Sequence, residues 1–506
     1  MMRAAPLLLA LLCCLIGQTW AAASYPPIPK DKTTPVQQRI ALYGPRAMSV
    51  GWNTYEKQSQ PCVDYGLSPG KLTMSSCSDS SITYPTSRTW SNSVILNNLK
   101  PATKYFYKIR STNSSTDFFQ SGRVAGDKTP FTLNTIIDLG VYGEDGYTLP
   151  HDDKSKRDEI PKIQPALNHT TIGALAKTID DYELILHPGD FAYADDWYEK
   201  PKNLGDGSAA YQAILEQFYE QLSPIARRKG YQASPGNHEQ VFTKFDCSEV
   251  PGQTQLCPAG QRNFSDFMNR FGKTMPHGYG SVSKNNSAQQ AANKAKTLAE
   301  PPFWYSFDYG SLHVAMINTE TDFPSAPDGP GTNLNGGPIG AMGQQLEWLD
   351  ADLSSVDRTV TPWVVVAGHR PWYSTGGSKQ NCEPCRKAFE PTLYKYGVDV
   401  AVFGHVHNSQ ATAGGVYNNT ADPAGLNNPK APMYVVSGGT GNIEGLTRVG
   451  EKQSYNAFAY DTSFSYASFT FKSAKELIIN FYRSDSGEKL HTSTLKKEHK
   501  QAFVRQ

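Results

Sequence analysis

The sequence has almost no net charge, with 48 Lys and Arg against 47 Asp and Glu. It also lacks a basic stripe of the kind that marks a nucleic-acid partner. It has no long apolar run after Ala23, so nothing beyond that point reads as a membrane span. Internal repeats and long low-complexity tracts are absent as well, which excludes solenoids and extended disordered tails. The last residues are polar, with Lys496, Lys497, Lys500 and Arg505, and carry no lipid-anchor pattern. Histidine is scarce, at eleven in 506 residues, so its placement carries information.

Cysteine is scarce too. Of eight, Cys13 and Cys14 fall in the N-terminal stretch. That stretch, residues 1–23, has Arg3 as a charged start, Leu7 to Ile16 as an apolar core and Ala21-Ala22-Ala23 as a cleavage site. It reads as a secretory signal, with a core too short to cross a bilayer, and predicts a secreted, extracellular protein. The remaining Cys62, Cys77, Cys247, Cys257, Cys382 and Cys385 then read as disulfides, and their spacing favours the local pairs 62–77, 247–257 and 382–385. Cys382-Glu-Pro-Cys385 also has the spacing of a redox or zinc pair; outside the cytosol the structural disulfide is preferred. Asn113, Asn168, Asn263, Asn285 and Asn418 open glycosylation sequons, so glycans are expected on a secreted chain.

The length exceeds one ordinary domain and suggests two. Residues 24–125 read as an all-β sandwich. Arg39 to Leu42, Ala47 to Trp52 and Ser93 to Leu96 have strand texture, and Tyr105, Tyr107 and Ile109 share one strand face. From 126 to 506 the texture is α/β. Ile214, Phe218 and Leu222 share one helical face, and Leu346, Leu349, Leu353 and Val356 another, all expected in the core. Trp304 to Ile317 reads as a hairpin, with His313 inside it as a structural residue. Cys247 to Glu300 reads as a long polar insertion and Pro324 to Gly343 as an irregular loop, both expected to wall a site.

The organising stretch is Glu183 to Tyr198. An apolar strand, Leu184 to Leu186, breaks at Pro188-Gly189 and delivers Asp190 and then Tyr193. The same order of strand, break and ligand-type residue recurs at Asp138, at Asn237-His238, at His369 and at His405 with His407. Ligands of an open α/β sheet bind beyond the carboxyl ends of its strands. Five such ends carrying Asp, Tyr, Asn and His can therefore converge on one metal site.

These motifs stand as Asp138-x-Gly140, Gly189-Asp190-x-x-Tyr193, Gly236-Asn237-His238-Glu239, Val366-x-x-His369 and Gly404-His405-x-His407. Together, and in this order, they resemble the purple acid phosphatases of the binuclear metallophosphoesterase superfamily, in the large plant and fungal form. The likeness extends to the N-terminal β domain, whose Leu99-x-Pro-x-Thr-x-Tyr105 run resembles fibronectin type III domains, and to Tyr434 through Gly445. It implies an α/β metallophosphoesterase sandwich of two mixed sheets flanked by helices, braced by the β domain. Asp138, Asp190, Tyr193 and His407 would hold Fe(III), and Asn237, His369 and His405 a divalent Zn, Fe or Mn, with Asp190 bridging. Phenolate and carboxylate suit a hard trivalent ion, while imidazole and amide suit a divalent one.

The implied reaction is hydrolysis of phosphomonoesters, phytate among the candidates, to alcohol and phosphate, with metal-bound hydroxide as nucleophile. His238 would protonate the leaving group and, with Asn237, contact substrate; its alternative role is to orient a neighbouring ligand. Phosphodiesterases and nucleotidases of the superfamily commonly have Asp-x-His where this chain has Gly140, and lack the tyrosine. A non-catalytic extracellular binding protein would not need the complete ligand set. One departure stands out: the plant enzymes carry two adjacent histidines after the fourth motif. Here that region runs from Arg370 to Gln380 with none, leaving Arg370 and Lys379 as candidates for the missing cation.

Overall fold

The structure is a computed structural model and describes residues 25–111, 113–141, 171–198, 208–240, 258–277, 279–332, 334–376 and 381–499. Its centre is three parallel strands, Phe131–Thr135, Leu184–Pro188 and Gly230–Ser234. All five residues of Leu184–Pro188 and of Gly230–Ser234 are buried, as expected of parallel strands covered on both faces. On one side the antiparallel strands Ser465–Ser473, Glu476–Arg483 and Lys489–Lys496 extend this sheet. A second sheet has the parallel strands Leu312–Met316, Trp363–Ala367, Val400–Phe403 and Met433–Ser437 at its heart. Tyr305–Tyr309 pairs antiparallel with Leu312–Met316, the expected hairpin. The two sheets meet through apolar side chains and a few polar ties, among them Ser437 Oγ donating to Thr135 O at 3.0 Å.

The N-terminal part is a β sandwich. One layer is Met74–Cys77, Cys62–Gly66, Lys104–Ile109 and Asp117–Gln120. The other is Val36–Gly44, Ala47–Thr54, Trp90–Leu96 and Ser81–Ile82, and this layer continues the central sheet: Ile40 pairs in parallel with Gly230. Tyr105, Tyr107 and Ile109 are buried between the layers as predicted. The Tyr105 hydroxyl accepts from Lys100 N at 2.9 Å, which fixes the chain at that corner.

Helix Ser208–Ala226 lies between sandwich and central sheet. Ile214, Phe218 and Leu222 are buried, as expected. Its polar side is buried too, because Glu216 pairs with Arg88 at 3.0 Å and Gln212 Oε1 accepts from the Tyr84 hydroxyl at 2.6 Å. Arg39 is buried at the same joint, donating to Asn53, Ser91 and the carbonyl of Arg270. Burial, helped by the charge of Arg270, pushes its guanidinium down to about 9. A joint built from satisfied buried polar groups fixes one relative position of the two parts.

Two expectations need correction. In helix Gln344–Ser354, Leu349 and Leu353 are buried, while Leu346, and Val356 just past the helix, are half-buried and pack against the core. Gln345, Trp348 and Asp352, not expected inside, are buried as well, because the polar pair find partners: Gln345 bonds Asn318, and Asp352 bonds His313. The described part of the Cys247–Glu300 insertion is also not simply polar, since Phe264, Phe267, Phe271 and Met275 enter the core. Disulfides 62–77 and 382–385 are present, the former joining residues directly opposed on adjacent strands. Cys247 and Cys257 lie outside the described residues, as do the N-terminal stretch, Asn168 and Lys379. Asn113, Asn263, Asn285 and Asn418 are exposed. No described helix is long and apolar enough to cross a membrane.

Candidate metal centre

Each of five strands that end at the mouth between the two sheets delivers the first ligand-type residue of its motif within three residues. Phe131–Thr135 leads to Asp138, Leu184–Pro188 to Asp190 and Tyr193, and Gly230–Ser234 to Asn237 and His238. From the other sheet Trp363–Ala367 leads to His369, and Val400–Phe403 to His405 and His407. Turning the side chains inward so soon after a strand needs unusual backbone. Asp138, Asp190, Tyr193 and His405 have φ of 63°, 55°, 51° and 61°, a left-handed region costing a non-glycine residue roughly 1–3 kcal/mol. Gly189 (φ 99°) is required for the same reason, and a Cβ there would also sit 2.7 Å from His369 Nδ1. At Gly404 an added Cβ would come 2.4 Å from Asp138 Oδ2.

All seven expected ligands are brought together. Tyr193 OH lies 2.8 Å from Asp138 Oδ1, 3.1 Å from Asp190 Oδ2 and 2.9 Å from His407 Nε2. His369 Nε2 lies 3.0 Å from Asp190 Oδ2 and 3.1 Å from Asn237 Oδ1. His405 has a ring nitrogen within reach of Asp190 and His369. Asp190 Oδ2 thus stands between two donor groups, one of carboxylate, phenol and imidazole, the other of imidazoles and an amide.

The electrostatics fit cations. Burial, then Asp138 and Asp190, holds the Tyr193 phenol well above its ordinary value, so a phenolate here requires a nearby positive charge. Burial pushes His369 down despite Asp190, leaving a neutral imidazole with a lone pair to give. Burial would raise Asp190, but His369 and His238 take it well below the usual carboxylate range. The ring of His407 is steadied through Nδ1, 3.1 Å from the Gly445 carbonyl. Asn442 Nδ2 donates to Asp138 O at 3.1 Å, which gives the Tyr434–Gly445 segment its part in the site.

Three supporting groups escaped the sequence reading. Asp195 bonds His238 Nδ1 at 2.8 Å; it lies just past Tyr193, and a ligand-rich stretch with a spare carboxylate was the available signal. Glu239 belongs to the third motif but received no role. Its carboxylate accepts from the N–H groups of Asp190, Phe191 and Gly236 at 2.8–2.9 Å, tying two motif loops together. Burial and Asp190 push it up to about 8, against the pull of those N–H groups. The third is the pair Glu320 and Asp328, which grip Arg370 at 2.5 Å each; nothing local in the sequence marks them. His187, by contrast, stacks on Phe191 behind the site at 4.1 Å between centroids and is part of the packing.

Family models match in three places: "Purple acid Phosphatase, N-terminal domain" over residues 35–121, "Calcineurin-like phosphoesterase" over 158–409, and "Iron/zinc purple acid phosphatase-like protein C" over 431–493. Acid phosphatase A of Cryphonectria parasitica is 59% identical over 96% of each chain. Purple acid phosphatase 18 of Arabidopsis thaliana is 27% identical, over 91% of this chain and 83% of its own. The solved purple acid phosphatase PPD1 from yellow lupin seeds has the same fold, with a TM-score of 0.63 at 20% identity, over 92% of this chain and 75% of its own.

Proposed function

The chain belongs to the purple acid phosphatases, enzymes with a binuclear metal centre that act on phosphomonoesters, and on that premise we propose how its own residues divide the work. Asp138, Asp190, Tyr193 and His407 would hold Fe(III). Asn237, His369 and His405 would hold a divalent Zn, Fe or Mn, with Asp190 shared between the ions. The observation that carries this reading is the position of Asp190 Oδ2, 3.1 Å from Tyr193 OH and 3.0 Å from His369 Nε2. One carboxylate oxygen touches both donor groups, and each group has the chemistry suited to its ion. When bound, the pair supplies Lewis acidity to the phosphoryl group and activates the attacking water.

His238 supplies the proton. Its Nδ1 is held by Asp195, and its Nε2 faces Asp190 Oδ2 at 3.8 Å. Burial opposes the imidazolium, but Asp195 and Asp190 outweigh it and hold the group well above its ordinary value. A charged imidazole aimed at the centre can protonate the leaving alkoxide. Asn237 and His238 line the approach of the substrate. The N-terminal stretch, the disulfides and the four exposed sequons support a secreted glycoprotein.

The test is metal content and colour. The purified enzyme should contain iron plus one divalent ion and absorb visible light through tyrosinate-to-iron charge transfer. Tyr193→Phe should bleach it, while His405→Ala should lose the divalent ion and keep iron. An iron-loaded wild type without colour would reject the assignment of Tyr193.

A further inference from the structure

Arg370 follows His369 directly, and both backbone N–H groups donate to Thr319 Oγ1, at 3.2 Å for His369 and 2.8 Å for Arg370. Two arms of its guanidinium are anchored: Nε donates to Glu320 Oε2 and Nη2 to Asp328 Oδ2. The third arm, Nη1, lies 2.9 Å from His405 Nε2. The Arg370 side chain is 15% exposed and His405 is half-buried, whereas Asp138, Asp190, His369 and His407 are at most 1% exposed. Arg370 and His405 therefore form the edge where the centre meets solvent.

A guanidinium only donates, and a neutral imidazole has a single lone-pair nitrogen. The Arg370–His405 bond consequently needs the lone pair on Nε2. An imidazole that ligates through Nε2 has used that pair. One that ligates through Nδ1 carries its proton on Nε2, donor against donor. Either way, a metal-ligating His405 cannot accept from Arg370, and the Nη1 arm must find another acceptor.

We propose, on the reading that His405 holds a metal, that Arg370 is a substrate-binding residue whose Nη1 arm passes from His405 to a non-bridging oxygen of the phosphoryl group. Glu320 and Asp328 keep the planar fork in place as one arm changes partner. A pre-positioned guanidinium beside the open edge suits phosphate recognition by charge-assisted hydrogen bonds.

The experiment compares wild type with Arg370→Gln and Arg370→Lys, measuring metal content, the Kd of inorganic phosphate by calorimetry, and kinetics on an aryl phosphate. With metals at wild-type level, Arg370→Gln should weaken phosphate binding roughly 10- to 100-fold, the loss of a charged hydrogen bond. KM should rise more than kcat falls, and Arg370→Lys should recover part of the affinity. In metal-free protein the difference between wild type and Arg370→Gln should vanish, because the arm is then engaged with His405. Removing Arg370 leaves two buried carboxylates, so Asp328→Asn is the second variant. It retains the guanidinium on one anchor and should keep both metals while losing phosphate affinity by a smaller factor. Unchanged phosphate affinity in metal-loaded Arg370→Gln or Asp328→Asn would overturn the proposal. So would loss of the divalent ion from both Arg370 variants, which would make Arg370 a support for His405. Retention of the divalent ion by His405→Ala would instead overturn the underlying ligand assignment.

Discussion

Two histidines in this molecule, one half-buried and one buried, have nearly the same local chemistry and opposite meanings. His238 bonds Asp195 through Nδ1 at 2.8 Å. His313 is bracketed by Asp308 at 2.8 Å and Asp352 at 2.9 Å. In both, burial opposes the charged ring and carboxylates overcome it; for His313, Asp352 and the bond to Asp308 raise the group to about 10. The difference is topological. His238 lies just beyond the carboxyl end of a parallel strand, with Asp190 facing its free nitrogen. His313 lies within a hairpin strand, and both its nitrogens are spent on structure. A perturbed titration marks a site only where one ring nitrogen remains to meet a ligand.

Mutation can break that contrast. His238→Ala should keep both metals and lose turnover by roughly 10²–10⁴-fold, the range of general acid catalysis. The loss should shrink for aryl esters with acidic leaving groups, and a loss equal across leaving groups would deny His238 the proton. Asp195→Asn should cost less, roughly 10- to 100-fold, as for other partners that orient a site histidine. Its alkaline limb should move to lower pH, because the carboxylate that favours the imidazolium is gone; an unmoved limb would detach Asp195 from proton transfer.

His313→Gln should leave kcat/KM unchanged and act on stability alone. Breaking a buried ion pair by removing one partner costs about 3–5 kcal/mol. The folded value of His313 lies above the ordinary one, so the wild-type advantage is complete below about pH 6.5 and is lost as pH rises through about 10. Thermal midpoints of wild type and variant should therefore converge toward pH 10. A gap that widened with pH would contradict the charged bridge.

The metal residues were legible because each motif is local: an apolar strand, a break and ligand-type side chains within five residues. The hairpin and the tyrosine corner were legible for the same reason. What escaped depends on partners distant in sequence. Gln345 and Asp352 enter the buried side of their helix because Asn318 and His313 satisfy them. Arg39 is buried because Arg270 O and Asn53 receive its protons. Glu320 and Asp328 lie 50 and 42 positions from the arginine they anchor. Hydrophobic periodicity shows which apolar groups go inside, and it is silent on polar groups that enter with a partner.

The parallel pairing of Ile40 with Gly230 also sets an order of events during synthesis. The N-terminal hairpin leaves the ribosome about 190 residues before the strand it will join, an interval on the order of 10–40 s at ordinary elongation rates. Through that time its outer edge has open backbone groups and no native neighbour, the kind of edge that recruits other chains. The Cys62–Cys77 bond closes within the sandwich and can form in that interval, but completing the shared edge must wait for Gly230. The early chain thus depends on being shielded until the catalytic half arrives.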